Sequence, residues 1–182
     1  MPTKPVFTDI DVLRCFLKVD GVSRANLVNE LGLGEGTVRS ILDILKSKGL
    51  INSTRQGHDM TDKGKSLLEN IDIEIKNISS DRIFPKYKKT AVLVRKYNKK
   101  VKIDYKLRDI AVKAGADGAV ILVFDGKLKI PEHEASNEFD ELNGIFEYKN
   151  GNILIIAFAD SYKKSETAGL KVAEAVNQQV FI

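Results

Sequence analysis

The chain has 182 residues, 43% apolar and 30% charged, the composition of one ordinary globular domain or two small ones rather than of a disordered tail. No apolar run reaches the ~18 residues of a membrane span. The single Cys15 excludes an intramolecular disulfide and any CxxC redox or zinc motif. The opening MPTKPVFTDIDVL has no apolar signal core and no small-residue cleavage site, so a cytoplasmic protein with no membrane partner is expected. HExxH and GxxxxGK(S/T) are both missing, which removes the commonest hydrolase and nucleotidase readings.

The formal net charge is +4, but its distribution says more than its size. Residues 1–75 hold ten basic and eleven acidic residues, and residues 76–182 hold nineteen and fourteen. The stretch 86–108 alone has ten basic residues against one acid, Asp104. Such a run reads either as an anion-attracting surface or as a solvated lysine-rich linker and edge strand.

In chain order, the first elements are helical. Thr8 with Asp11 reads as a capped helix start, Leu13, Phe16 and Leu17 recur at helical spacing, and Asp20-Gly21 ends the segment. Ser23 caps a second helix with Leu27, Val28 and Leu31 inward, ended by Gly32. A third begins near Glu35, and its Val38, Ile41, Leu42 and Leu45 form one buried stripe before a basic last turn and Gly49. The period then changes. Residues 50–54 are β-prone, Arg55-Gln56-Gly57-His58 reads as a hairpin tip, and Thr61 caps a fourth helix through Leu67, Leu68, Ile71 and Ile75.

That order resembles a winged helix-turn-helix domain. The residues that carry the likeness are SRANLVNELGLGEGTVRSILDILKSKGLI (23–51) and TRQGHDMTDKGKSLL (54–68), the second similar to the wing and following helix of MarR-like regulators. The resemblance implies double-stranded DNA as partner, read by the third helix in the major groove. With the apolar stripe inward, Gly36, Thr37, Arg39, Ser40 and Asp43 face out. The expected DNA-binding residues are Ser23, Gly36, Thr37, Arg39, Ser40, Arg55 and His58. Thr37 and Ser40 can donate to phosphate or base edges, Arg39 can fork onto guanine, and Arg55 can enter a flanking groove. Against this stand the acids Glu35 and Asp43 and the near-neutral charge of this half. Gly32-Leu33-Gly34-Glu35-Gly36 follows a helix and lacks GxGxxG spacing, so it reads as an interhelical turn and not as a dinucleotide site.

The second half mixes strands and helices. Residues 90–97 read as a strand. Asp104 caps a helix stopped by Gly115, and residues 119–124, apolar on both faces, read as a central strand. Asp125-Gly126 is a hairpin signal into residues 127–130, and 131–143 an acidic loop. Residues 144–148 and 152–158 flank Asn150-Gly151 as a second hairpin. The last helix spans about 165–177, with Gly169, Val172, Ala173 and Val176 toward a sheet, and residues 180–182 add a short strand. The expected fold class is α+β. A winged helix-turn-helix domain (1–80) precedes a small domain (81–182) with a mostly antiparallel sheet of about five strands and two helices on one face. The whole chain resembles archaeal regulators with a C-terminal domain of unknown function, on the strength of DYKLRDIAVKAGADGAVILVFDGKLKIP (104–131) and NGNILIIAFAD (150–160).

Chemistry in this half is sparse. Glu132-His133-Glu134 with Glu138, Asp140 and Glu141 could ligate a divalent cation but reads as a solvated acidic loop, and neither a metal nor a cofactor is expected. Asp160-Ser161 with Lys163 and Lys164 could hold an anion, or simply cap the last helix. Tyr87, Tyr97 and Tyr105 among the lysines could stack single-stranded bases, or pack on an apolar face. Cys15 reads as a small core residue, and no nucleophile–base set is present, so no catalytic residue is expected. The expected function is a DNA-binding transcriptional regulator, not an enzyme. Its C-terminal domain would sense a small-molecule effector or mediate dimerisation, and Leu68, Ile71, Ile75 and Ile78 would form a helical homodimer seam. The alternatives are a small enzyme or cofactor-binding protein using the winged helix as a protein-interaction module, and a nucleic-acid chaperone or RNA-binding protein using the basic strand.

Overall fold

The structure is a computed structural model that describes residues 6–134 and 136–182, so the opening MPTKP segment and Ala135 of the acidic loop lie outside the described residues. Thr8 starts the first helix, α1 (Asp9–Lys18), through a reciprocal box: its hydroxyl accepts from the Asp11 N–H, and the Asp11 carboxylate accepts from the Thr8 N–H at 3.0 Å. Such caps contribute about 1 kcal/mol. Helix α2 (Arg24–Leu31) is capped by Ser23 and ends on Gly32 at φ +63°, a left-handed conformation that glycine adopts without strain. Helix α3 (Glu35–Ser47) follows from Gly34, and Val38, Ile41, Leu42 and Leu45 are buried as the helical period requires. Strands β1 (Ile51–Ser53) and β2 (His58–Met60) pair antiparallel, and α4 (Asp62–Ile71) follows, capped by Thr61, which accepts from the Gly64 N–H at 3.1 Å.

Cys15 is buried in α1, and burial pushes its thiol up to about 12. Arg14 is buried on the same helix. It donates to Asp11 Oδ1 at 3.2 Å and to the Leu31 carbonyl at 3.1 Å, so one guanidinium joins α1 to the carbonyl end of α2.

The helix α4 does not continue to Ile75. Asp72 takes φ +49° and stops it, and Ile73–Ile78 forms strand β3. The alternation Ile73, Ile75 and the pairing of β3 with strand β4 (Lys88–Val94) override the helical reading. The expected helical dimer seam therefore does not exist, since Ile75 and Ile78 sit on a strand. The chain accordingly divides into Met1–Ile71 with Phe181–Ile182, and Asp72–Val180, where 80/81 had been expected.

The second unit adds α5 (Tyr105–Lys113), β5 (Gly118–Asp125), β6 (Lys127–Lys129), β7 (Ile153–Ala159) and α6 (Tyr162–Asn177). Its sheet runs β3-β4-β7-β5-β6 with every neighbouring pair antiparallel. The α+β class is as expected. Alternate residues face opposite sides. Thr90 and Val92 meet α6, where the Thr90 and Ser165 hydroxyls lie 2.7 Å apart and a Cβ on Gly169 would come within 2.9 Å of Val92 Cγ2. Ala91, Leu93, Leu122, Leu154 and Ile156 form the core of the other face with Phe139, Leu142 and Phe146.

That second layer explains a misread hairpin. Residues 144–148 form no strand. Both edges of β7 are already taken by β4 and β5, so an added partner has nowhere to pair. Ile145, Phe146 and Tyr148 instead close the open sheet face, together with the 3-10 helix Asn137–Leu142 inside the acidic loop. Residues 180–182 also form no strand.

Candidate nucleic-acid interface

The exposed face of α3 follows from its apolar stripe. Gly36, Arg39, Ser40 and Asp43 are exposed and Thr37 is half-buried. Gly34 gives the helix no side-chain cap, so its first amide groups have no side-chain acceptor there. The Ser40 hydroxyl donates to the Gly36 carbonyl at 3.1 Å, and the Ser23 hydroxyl accepts from the Asn26 N–H at 3.3 Å. Both hydroxyls thus serve helix geometry in this state, and Ser23 acts as a cap rather than as an open contact.

Glu35 organises the charge. Its Oε1 lies 3.0 Å from Arg24 Nη2 and 3.7 Å from Arg39 Nη2. One carboxylate therefore holds two guanidinium groups at the start of α3, beside a cleft of about 420 Å³ between α2 and α3 lined by Arg24, Asn29 and Glu35. Arg24 was missed in the sequence because it follows a capping serine and carries no periodic signal. The phase set by Leu27 and Leu31 points Arg24 inward, and its exposure follows instead from its place as the first residue of α2.

The hairpin tip is a small polar concavity. The Thr54 N–H donates to the Gly57 carbonyl at 2.8 Å, and the Gly57 N–H donates to the Thr54 hydroxyl at 3.1 Å. Arg55 is exposed and makes no ion pair among the described residues. Gly57 is required by closeness: a Cβ there would meet the Val22 carbonyl oxygen at 2.6 Å.

His58 departs from expectation. It is 8% exposed, its Nδ1 lies 3.3 Å from the Ser53 hydroxyl, and its backbone bridges Asp20 and Val22. Burial lowers its pKa, and the charges of Lys46 and Arg24 lower it further against the opposing pull of Asp59. Its ring therefore lies on the inner side of the hairpin, where it braces the strands rather than standing open at the surface.

The basic run 86–108 is not one surface. Lys89 is 3% exposed, and its ammonium donates to the Ser80 and Phe84 carbonyls at 2.6 and 3.2 Å. Arg95 pairs with Glu74 at 2.6 Å and Asp72 at 3.8 Å, and Lys96 with Asp72 at 3.4 Å. Lys88 lies 5.4 Å above the Tyr162 ring. Tyr87 packs on Phe158 with ring centroids 5.2 Å apart. Asp160 pairs with Lys164 at 2.6 Å, and this contact holds its carboxyl below the usual range, while Ser161 caps α6. Among the described residues no three His, Cys, Asp or Glu side chains gather as a metal site, and no helix is long and apolar enough to cross a membrane.

The molecule is thus an α+β protein whose described residues form a four-helix, one-hairpin N-terminal unit and a C-terminal unit with a five-stranded antiparallel sheet. Residues 86–176, half of the chain, match the family described as a domain of unknown function (DUF4443), and the chain belongs to that family. Residues 9–66 match the PH0730-like N-terminal domain. The solved structure titled "Hypothetical protein PH0730 from Pyrococcus horikoshii OT3" is similar along 94% of each chain, with 28% identity and a TM-score of 0.80. No curated protein matches.

Proposed function

We propose that the protein is a DNA-binding transcriptional regulator whose N-terminal unit is a winged helix-turn-helix of MarR-like type. On this reading α3 enters the major groove and the β1–β2 hairpin is the wing. The observation that carries it is an α3 that starts without a side-chain cap and continues into the exposed Arg39 and Ser40, in a unit whose hairpin tip carries an unpaired Arg55. Free amides at a helix start suit phosphate, and a guanidinium on the following turn suits a guanine edge. The C-terminal unit senses a small effector or mediates dimerisation and carries no catalysis. A homodimer would set two recognition helices one DNA turn apart. Its contact is not the α4 seam, which the β3 strand removes.

The test is selection of preferred duplexes from a random pool by the full chain, followed by footprinting. A palindromic site with half-sites about 10 base pairs apart supports the reading. Arg39→Ala is then expected to weaken the selected site by about 1–3 kcal/mol with an unchanged melting temperature. No enriched sequence, or an enriched site indifferent to Arg39, overturns it.

A further inference from the structure

We propose that the cleft between the first turn of α5 and the β5–β6 end of the sheet binds a small zwitterion with an apolar body, chemically an α-amino acid with an aliphatic or aromatic side chain. This deepens the effector half of the function proposed above and stands without the DNA half.

The cleft measures about 440 Å³, inside the ~300–1,000 Å³ range of small-molecule sites. Ala119 and Ile121 of β5 line it and are otherwise buried, while Ile130 is 38% exposed and Tyr105 70% exposed. Large apolar groups left open beside a concavity mark a surface that a ligand can cover. The polar lining carries both signs of charge, with Lys102 and Arg108 against Asp104 and Glu132. Opposite charges around one cleft ordinarily neutralise each other. Here Lys102, Arg108 and Glu132 make no ion pair or side-chain hydrogen bond among the described residues. Asp104 is engaged locally, accepting from the Lys106 N–H at 2.9 Å as the cap of α5.

A ligand with one charge would satisfy one set and leave the other unmatched. A ligand carrying carboxylate and ammonium answers both. The carboxylate suits Arg108, Lys102 and the positive end of the nine-residue α5. The ammonium suits Glu132 and the ring of His133. The His133 Nδ1 lies 3.0 Å from the Pro131 carbonyl, so Nδ1 is the donor there, and in that tautomer Nε2 is an acceptor. The side chain then lies on the Ala119–Ile121–Ile130 floor.

The experiment titrates the full-length protein with L-leucine and L-phenylalanine, following amide resonances by NMR and heat by calorimetry. The controls are 4-methylpentanoate, isopentylamine and glycine, which remove the ammonium, the carboxylate and the apolar body in turn. The amino acids are expected to bind with a dissociation constant of about 1 mM or tighter, about tenfold or more below any control. The shifts are expected at Tyr105, Ile121 and His133. Arg108→Gln and Glu132→Gln replace exposed side chains, so each is expected to weaken leucine about tenfold with an unchanged melting temperature. No saturable shift at ~10 mM, shifts that map elsewhere, or 4-methylpentanoate binding as tightly as leucine overturns the proposal. None of these readouts involves DNA, so a failed footprint and a failed titration remain separate results.

Discussion

The two units engage their basic residues differently. In the first, Arg24, Arg39 and Arg55 lie at the surface, two of them held by the single carboxylate of Glu35. In the second, Lys89 is buried against backbone carbonyls, and Arg95 and Lys96 are paired with Asp72 and Glu74. The lysine-rich run therefore divides, with Lys89, Arg95 and Lys96 drawn into the fold while Lys86, Lys99, Lys100, Lys102, Lys106 and Arg108 stay exposed without an ion pair among the described residues. Charge counted along a chain says little about charge presented to a partner until the pairing is known.

The largest expected effect tests whether the first unit is braced by charge. Arg14 is the one guanidinium of that unit that faces inward, joining Asp11 to the Leu31 carbonyl. Arg14→Ala leaves Asp11 without its cation and the end of α2 without its donor. Truncating one member of such a buried pair costs about 3–5 kcal/mol. Urea unfolding followed on amides of α1 and α2 is expected to show that loss, with β4 and β7 amides far less affected. A silent substitution would mean that apolar packing alone holds the two helices together.

The second unit is expected to fail by crowding instead. Gly169 lets α6 approach β4, because a Cβ there already comes within 2.9 Å of Val92 Cγ2. Gly169→Val is expected to cost about 1–3 kcal/mol as overpacking does. Val92→Ala in the same chain is expected to return part of it, since the two changes share one contact. Equal effects of Gly169→Val in the two backgrounds would place the strain elsewhere.

How much of this was legible in the sequence depended on whether a residue's neighbours were local. Thr8 and Asp11, Ser23, Asp104 and Asp125-Gly126 all marked real boundaries, because caps and two-residue turns are made within a few residues. The buried stripe of α3, and hence its exposed face, was legible for the same reason. The β3 strand was not, because LLENIDIEIKNI fits a helical stripe at Leu68, Ile71 and Ile75 as well as, in its second half, an alternating one, and only pairing with β4 decides. The 144–148 segment was misread because nothing local shows that both edges of β7 are taken. His58 was placed at a surface by its position in the hairpin, and its burial follows from long-range bridges to Asp20 and Val22. Arg24 and Glu35 are distant in sequence, so their pairing left no periodic trace.

Glu35 gives the next prediction, sharpening the contrast between open and neutralised charge. Any phosphate approaching the start of α3 must compete with that carboxylate for Arg24 and Arg39. Glu35→Gln keeps the shape and frees both cations. Non-specific duplex affinity is then expected to rise, and the slope of log K against log salt to steepen by up to ~0.9 for each arginine that reaches a phosphate. The exposed pair itself contributes little to stability, so melting is expected to move by less than about 1 kcal/mol. An unchanged slope would show that neither arginine meets phosphate, and would turn the face from DNA toward a protein partner.

The smallest expected effect comes from His58, which separates the inner side of the hairpin from its outer tip. Burial, Lys46 and Arg24 hold its folded pKa below the ordinary 6.5, so the native ring stays neutral where the unfolded chain has begun to take up a proton. The sign follows: stability is complete above pH 6.5 and declines as pH falls from there through the lowered folded value. The slope stays below the ~1.4 kcal/mol per pH unit that one full proton gives, because with a finite shift the folded and unfolded states differ by less than one proton. Melting of the first unit, measured between pH 8 and pH 5, is expected to show this decline. His58→Gln keeps a polar group near the Ser53 hydroxyl but cannot titrate. The variant should therefore lose that part of the pH dependence while melting within about 1–2 kcal/mol of the parent. Arg55→Gln at the tip should leave the pH dependence unchanged, because the Arg55 charge is not among those that shift the ring. If both variants titrate like the parent, the acid sensitivity of this unit lies in its carboxylates, and His58 is a brace whose protonation is indifferent to folding.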